Sequence, residues 1–134
     1  MAITVTMPTG QVTAIVGQTG SGKSTLVQHI NGLLKPTEGR VLVDGFELTP
    51  RTKEKQLMQL RKKVGIVFQF PENQLFANTV LADVMCAPLN FGADQATAKA
   101  AAEAALRRVG VDESLWEKSP FELSGGQMRR VAMA

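Results

Sequence analysis

An α/β fold, a parallel core sheet interrupted by a helical insert, is predicted by three observations. Short apolar runs of strand character, residues 11–16 and 64–68, alternate with segments of helical period. At the junction of one such strand and one such helix, Gly17, Gln18, Thr19, Gly20, Ser21, Gly22, Lys23 and Ser24 fit the phosphate-binding pattern G-x-x-x-x-G-K-[ST]. From residue 79 to residue 109 the pattern becomes wholly helical, before a second glycine-rich run at Leu123-Ser124-Gly125-Gly126-Gln127.

Taken in order, Ile3, Val5 and Met7 alternate with polar residues, so residues 3–7 read as a strand and Pro8-Thr9-Gly10 as a turn. Residues 11–16 form the second strand, which feeds the glycine loop. A helix starts at Lys23, with Leu26, Val27, Ile30, Leu33 and Leu34 along one face and Pro36 beyond its end. Residues 40–43 make a short strand. Leu57, Leu60 and Val64 mark the inner face of a helix over residues 53–63, and residues 64–68 follow as a buried strand. Helices are expected over 79–88 and 96–109, the second with Ala98, Ala101, Ala102, Ala105, Leu106 and Val109 on one side. Residues 127–134 read as the first two turns of another helix.

Composition bounds the rest. The 134 residues, 44% hydrophobic and 20% charged, suffice for one small soluble domain with a sizeable core. The net charge of +3 comes from basic residues that are dispersed apart from Arg61-Lys62-Lys63, Arg107-Arg108 and Arg129-Arg130, and solvated helix ends account for most of these, which argues against a nucleic-acid partner. The lone Cys86 has no disulfide partner and no metal-ligand company, so it reads as a small buried hydrophobe in a cytosolic protein. Residues 1–10 lack the features of a secretory signal, and no run approaches the apolar length of a membrane span.

The phosphate loop needs its residue types for physical reasons. By accident the pattern would arise in roughly 0.5% of chains this long, with Gly at about 7% of residues. Glycines at 17, 20 and 22 let the backbone wrap an anion, while loop amides and the helix N-terminus aim donors at it. Lys23 adds a cation for the β- and γ-phosphates. Ser24 offers a hydroxyl to Mg²⁺, and Thr25 can donate to the α-phosphate. A nucleoside triphosphate with Mg²⁺ is thus the expected ligand.

Leu123-Ser124-Gly125-Gly126-Gln127 resembles the signature of ATP-binding-cassette (ABC) ATPases, and the two motifs together resemble a transport engine. The resemblance implies ATP as the triphosphate and a P-loop NTPase core, in which Gln69, after the strand Val64-Gly65-Ile66-Val67-Phe68, contacts metal and attacking water while its loop senses a membrane subunit. Two segments, Phe68-Gln69-Phe70-Pro71-Glu72-Asn73-Gln74-Leu75-Phe76 and Ile30-Asn31-Gly32-Leu33-Leu34-Lys35-Pro36-Thr37-Glu38-Gly39, are similar to the ATPases of energy-coupling factor (ECF) importers of vitamins and transition-metal ions. Membership implies head-to-tail pairing with a second ABC ATPase subunit, whose nucleotide meets Ser124, Gly125, Gly126 and Gln127. It also implies a membrane-spanning partner, a separate substrate-capture subunit, and residence at the cytoplasmic face of the cell membrane. The signature argues against a P-loop kinase, and the 70–76 segment against soluble ABC proteins.

Departures from the family pattern matter equally. The metal-orienting aspartate, the catalytic glutamate and the switch histidine would all lie beyond Ala134, and no aromatic precedes the loop to stack on adenine. The expectation is therefore a partial nucleotide-binding domain with an incomplete core sheet. Residues 1–76 would be the phosphate-loop core and glutamine loop, and about 77–134 the helical subdomain with the signature. Such a chain would bind nucleotide without turning it over alone, since a general base needs a positioned carboxylate. Asp44, Glu72 and Asp83 are the conceivable substitutes, each more simply a turn or surface residue. His29 and Trp116 read as packing or surface residues rather than as switch and adenine platform.

Overall fold

A computed structural model describes residues 2–134, which fall into two compact units, one ending at Val64 and the other running from Gly65 to Ala134. The first holds α1 (Lys23–Ile30), β1 (Val41–Val43), β2 (Phe46–Leu48) and α2 (Glu54–Lys63). The second holds α3 (Val80–Asn90), α4 (Gln95–Arg108) and α5 (Gly125–Met133), with 3₁₀ turns at Pro71–Gln74, Glu113–Leu115 and Pro120–Glu122.

In the first unit, β1 and β2 pair antiparallel, Val41 opposite Leu48 and Val43 opposite Phe46. The connection is the two-residue turn Asp44-Gly45, with φ of 45° and 78°. Two consecutive left-handed residues match the right-handed twist of the strands, which is why Asp-Gly favours a tight hairpin. Behind the hairpin lie Leu48, Leu57 and Leu60, all fully buried, with Val41, Val43, Phe46 and Val64 packed around them. The inner face predicted for α2 is the face observed.

Where α1 leaves its last turn, Gly32 adopts φ of 73°, and a Cβ there would stand 2.9 Å from Leu57 Cδ2. This turn ends the helix at Ile30, so Leu33 and Leu34 do not continue its apolar face and are exposed. Arg61 fixes the junction by donating to the Gly32 carbonyl at 3.2 Å and to Glu54 at 2.6 Å.

Residues 3–7, 11–16 and 64–68, expected as strands, join no sheet; among the described residues only β1 and β2 pair. Val12 and Val16 are almost wholly exposed. A strand exists only where its backbone donors and acceptors meet another extended segment, and among the described residues none of these runs is paired in that way. The fold is thus a partial α/β arrangement with a two-stranded sheet.

The second unit is built on α3 packed against α4. Its core contains Leu75, Val80, Leu81, Ala102, Leu106, Val111, Trp116, Leu123 and Val131. Thr79 caps α3 by accepting from the Ala82 amide, and Asp94 caps α4 by accepting from that of Thr97 at 2.8 Å. Further α3 amides, Val80 and Leu81, donate to the carbonyls of Lys118 and Trp116, each at 2.9 Å. Helix-start donors that would otherwise lack partners are thereby satisfied. The Trp116 indole donates to the Val111 carbonyl at 3.2 Å and carries the Arg107 guanidinium 5.0 Å from its ring centre, so its role in this unit is packing.

Three helical expectations shift. α3 passes through Pro88 and ends at Asn90, since a proline in the last turn forfeits one hydrogen bond only. On α4 the buried stripe is Ala98, Ala102 and Leu106, while Ala101 is exposed. α5 begins at Gly125, so both signature glycines are helical rather than preceding the helix. No helix among the described residues is long and apolar enough to cross a membrane.

Candidate functional site

Residues 17–25 form an open, largely exposed loop ending in the first turn of α1. Gly20 has φ of 84° and Gly22, the N-cap of α1, φ of 89°, a region that residues with a Cβ enter at a cost. The Ser21 amide donates to the Gln18 carbonyl at 3.2 Å, closing the turn, and a Cβ on Gly17 would stand 2.7 Å from Ser21 Oγ. Lys23 folds back over this turn. Its ammonium donates to the carbonyls of Gly17 at 2.9 Å and Gln18 at 2.8 Å, with Nζ held at the loop's mouth.

Two negative features define what the loop accepts. Gly22 provides no side-chain cap, and the first turn of α1 has no acidic residue. The amides of Lys23, Ser24 and Thr25 therefore have neither a capping oxygen nor a competing carboxylate, at the positive end of the helix dipole. Together with the Lys23 ammonium and the exposed Ser24 and Thr25 hydroxyls, they suit a polyanion with several oxygens. A cation bound there would rely on the anion's own oxygens and on a hydroxyl oxygen such as that of Ser24, since the loop amides present only N–H donors. No cluster of three or more His, Cys, Asp or Glu that could hold a metal occurs among the described residues.

The second unit carries the other predicted residues. Gln69 is exposed and precedes Phe70, a non-glycine residue at φ of 59°. Beyond it, Pro71 is buried, the Asn73 amide donates to the Phe70 carbonyl at 3.1 Å, and Asp83 Oδ2 accepts from the amides of Phe76 and Ala77 at 3.0 and 2.8 Å.

At the start of α5, Ser124 and Gln127 cap each other. The Gln127 amide donates to Ser124 Oγ at 3.3 Å, and the Ser124 amide donates to Gln127 Oε1 at 3.0 Å. This capping box was legible as Ser-x-x-Gln, though the sequence reading did not use it. A capping serine oxygen still has its own proton to donate. A Cβ at Gly125 or Gly126 would meet nothing beyond its own helix, and neither residue has a left-handed φ. Nothing within the fold requires glycine at either position, and only the close approach of something else would.

The conceivable bases are engaged. Asp44 accepts from Lys63 Nζ at 2.7 Å, and this hydrogen bond, then the charge of Lys63, lowers its pKa. Glu72 accepts from the Arg129 guanidinium, and this hydrogen bond above all lowers its pKa too. Asp83 serves the amides just described. His29 Nδ1 lies 2.7 Å from the Thr25 carbonyl within α1, and Cys86 is half-buried on α3.

Over residues 1–134 the chain matches the family described as ABC transporter. It is 71% identical over 132 residues to the energy-coupling factor transporter ATP-binding protein EcfA2 of Leuconostoc mesenteroides, covering 98% of this chain and 46% of that protein. To the protein of the same name from Lactiplantibacillus plantarum it is 59% identical over 132 residues, covering 98% of this chain and 45% of the relative. The chain spans less than half the length of these curated relatives. Among solved structures, cbiO1 of Clostridium perfringens, part of the ABC transporter complex cbiONQ, is similar with TM-score 0.70 and 42% identity, over 87% of this chain and 45% of that one. The dimeric post-hydrolysis state of the ATP-binding cassette MJ0796 bound to ADP and Pi matches with TM-score 0.73 and 32% identity, over 87% and 51% of the two chains.

Proposed function

Since this chain belongs to the ABC transporter family, we propose that it is the ATP-binding part of the motor subunit of an ECF-type importer of vitamins or transition-metal ions. Residues 17–25 bind the phosphates of ATP. Loop amides and Lys23 neutralise the β- and γ-oxygens, and Ser24 and Gln69 are the residues that would each offer Mg²⁺ an oxygen ligand. Bound Mg²⁺ supplies charge neutralisation of the phosphoryl oxygens; Gln69 orients the attacking water. Ser124, Gly125, Gly126 and Gln127 serve the nucleotide of a second ABC ATPase subunit, the helix start donating amides and the Ser124 hydroxyl to its phosphate. Residues 1–76 act as core and glutamine loop, beside which a membrane-spanning subunit docks at the cytoplasmic face, and about 77–134 act as the helical subdomain with the signature. A separate membrane protein captures the substrate, and nucleic acid has no part.

The observation that carries this reading is the first turn of α1. It has a glycine cap, no acidic residue, and the Lys23 ammonium folded over the preceding turn. Labelled Mg-ATP titrated onto the chain and onto Lys23→Ala tests it, and equal affinities would overturn it.

A second reading, that the 134 residues alone bind nucleotide without hydrolysing it, is favoured by the occupation of Asp44 by Lys63 and of Glu72 by Arg129. A carboxylate whose pKa is lowered by its partner is a poor proton acceptor. Phosphate release above a Lys23→Ala control from this chain would refute it.

A further inference from the structure

Of the ion pairs among the described residues, Glu72–Arg129 stands apart. It spans 57 positions of sequence, and Arg129 Nε and Nη2 donate to separate Glu72 oxygens at 3.3 and 3.1 Å. The Glu72 side chain is 18% exposed, against 49–74% for the carboxylates of the other four pairs. Exposed single-point pairs are worth little, but a two-pronged guanidinium–carboxylate contact with one partner shielded fixes geometry as well as charge.

Its place in the chain gives this geometry a use. Glu72 lies in the 3₁₀ turn Pro71–Gln74, three residues past Gln69, and Arg129 lies on α5, two residues past Gln127. Between Gln69 and Glu72 the backbone passes through Phe70 in the left-handed region, which an aromatic residue keeps only when its surroundings impose it. Those surroundings are the buried Pro71, the Asn73–Phe70 hydrogen bond and the ion pair, with Leu75 in the same core cluster as Val131 of α5.

We propose that Glu72 and Arg129 are a positioning pair that fastens the turn carrying Gln69 to the helix headed by Ser124–Gln127, so that the two segments move as one body. The pair acts by holding the two segments together and is not itself a ligand of nucleotide or of the attacking water. It transmits a displacement of the glutamine turn to the signature helix, and this role rests on the ATPase reading above. Breaking it leaves the ligands of bound phosphate in place and disconnects the response to the membrane subunits.

The test uses the subunit in its assembled transporter complex, with Glu72→Arg, Arg129→Glu and the doubly exchanged variant. ATP turnover is measured as kcat and KM, beside the thermal midpoint. Each single exchange is expected to lower kcat about fivefold or more, the range of a coupling contact, with KM for ATP within about twofold of wild type. The double exchange restores the opposite charges and is expected to recover most of kcat. Should a single exchange fail to fold, Glu72→Gln, which keeps shape and an acceptor oxygen, is expected to lower kcat about threefold. Unchanged kcat in wild-type-like single variants, KM rising in step with lost kcat, or a double exchange no better than the singles would each overturn the proposal. A wild-type complex without any turnover would instead overturn the ATPase reading, and this role with it.

Discussion

Lys23 closes back on Gly17: its ammonium donates to a carbonyl six residues earlier in the loop that the helix follows, at 2.9 Å. The cation is thus held at the loop before any anion arrives, so little side-chain entropy is lost on binding. Replacing Lys23 by Ala removes charge-assisted contacts worth about 1.5–3 kcal/mol. ATP affinity is expected to fall by roughly tenfold to a hundredfold, read from a fluorescent-ATP titration with Mg²⁺.

Gly22→Ala tests the backbone rather than the charge. At φ of 89° a Cβ is strained although open space surrounds it. The left-handed conformation costs a non-glycine residue about 1–2 kcal/mol, so the loop is expected to reorganise, weakening ATP binding about tenfold while the thermal midpoint moves little.

Gly126→Ala is expected to separate stability from function. A helical glycine without neighbours costs roughly 0.5–1 kcal/mol relative to alanine, and Gly126 has open space above it. The variant should melt at the same temperature or higher; if the signature serves a partner's nucleotide as proposed, ATP turnover in the assembled pair of ATPase subunits should fall by roughly tenfold or more, because a methyl group would then occupy the approach of phosphate. A fall in melting temperature would assign the glycine to folding instead.

Much of this was legible in the sequence and some was not, for reasons that differ by residue. The inner face of α2 followed from local spacing, since Leu57 and Leu60 face Leu48 whatever else the chain does. The hairpin was missed although Asp44-Gly45 announces it, because β2 is only three residues long and reads as a loop. Strand assignments at 3–7, 11–16 and 64–68 failed because alternation reports which face a strand would show, whereas pairing depends on segments remote in sequence. At the site, the glycine loop and the signature were visible as motifs with fixed spacing. The Glu72–Arg129 contact was not, since no local rule links positions so far apart.

Acid titration is expected to expose that contact. Arg129 lowers the pKa of Glu72 in the folded protein, so the folded state holds fewer protons on this group than the unfolded chain. Its stabilisation is complete above the usual carboxylate range and is lost as pH falls through the folded-state value. Glu72→Gln should narrow the difference in stability between pH 7 and about pH 3, measured by urea denaturation. Parallel curves for the two proteins would show that the pair contributes nothing.

Trp116 is the single tryptophan of a chain without tyrosine, and it is buried in the core of the second unit against the Val111 carbonyl. Indole emission therefore reports on residues 65–134 alone, and the Arg107 guanidinium over its ring makes that emission sensitive to the end of α4. Far-ultraviolet circular dichroism, by contrast, sums over α1 and α2 as well. If the two signals share one denaturation midpoint, the units unfold as a single cooperative body; if they part, each is a folding unit in its own right. The placement of one side chain thus supplies, without any label, a spectroscopic test of how far the phosphate loop and the signature helix depend on each other for their stability.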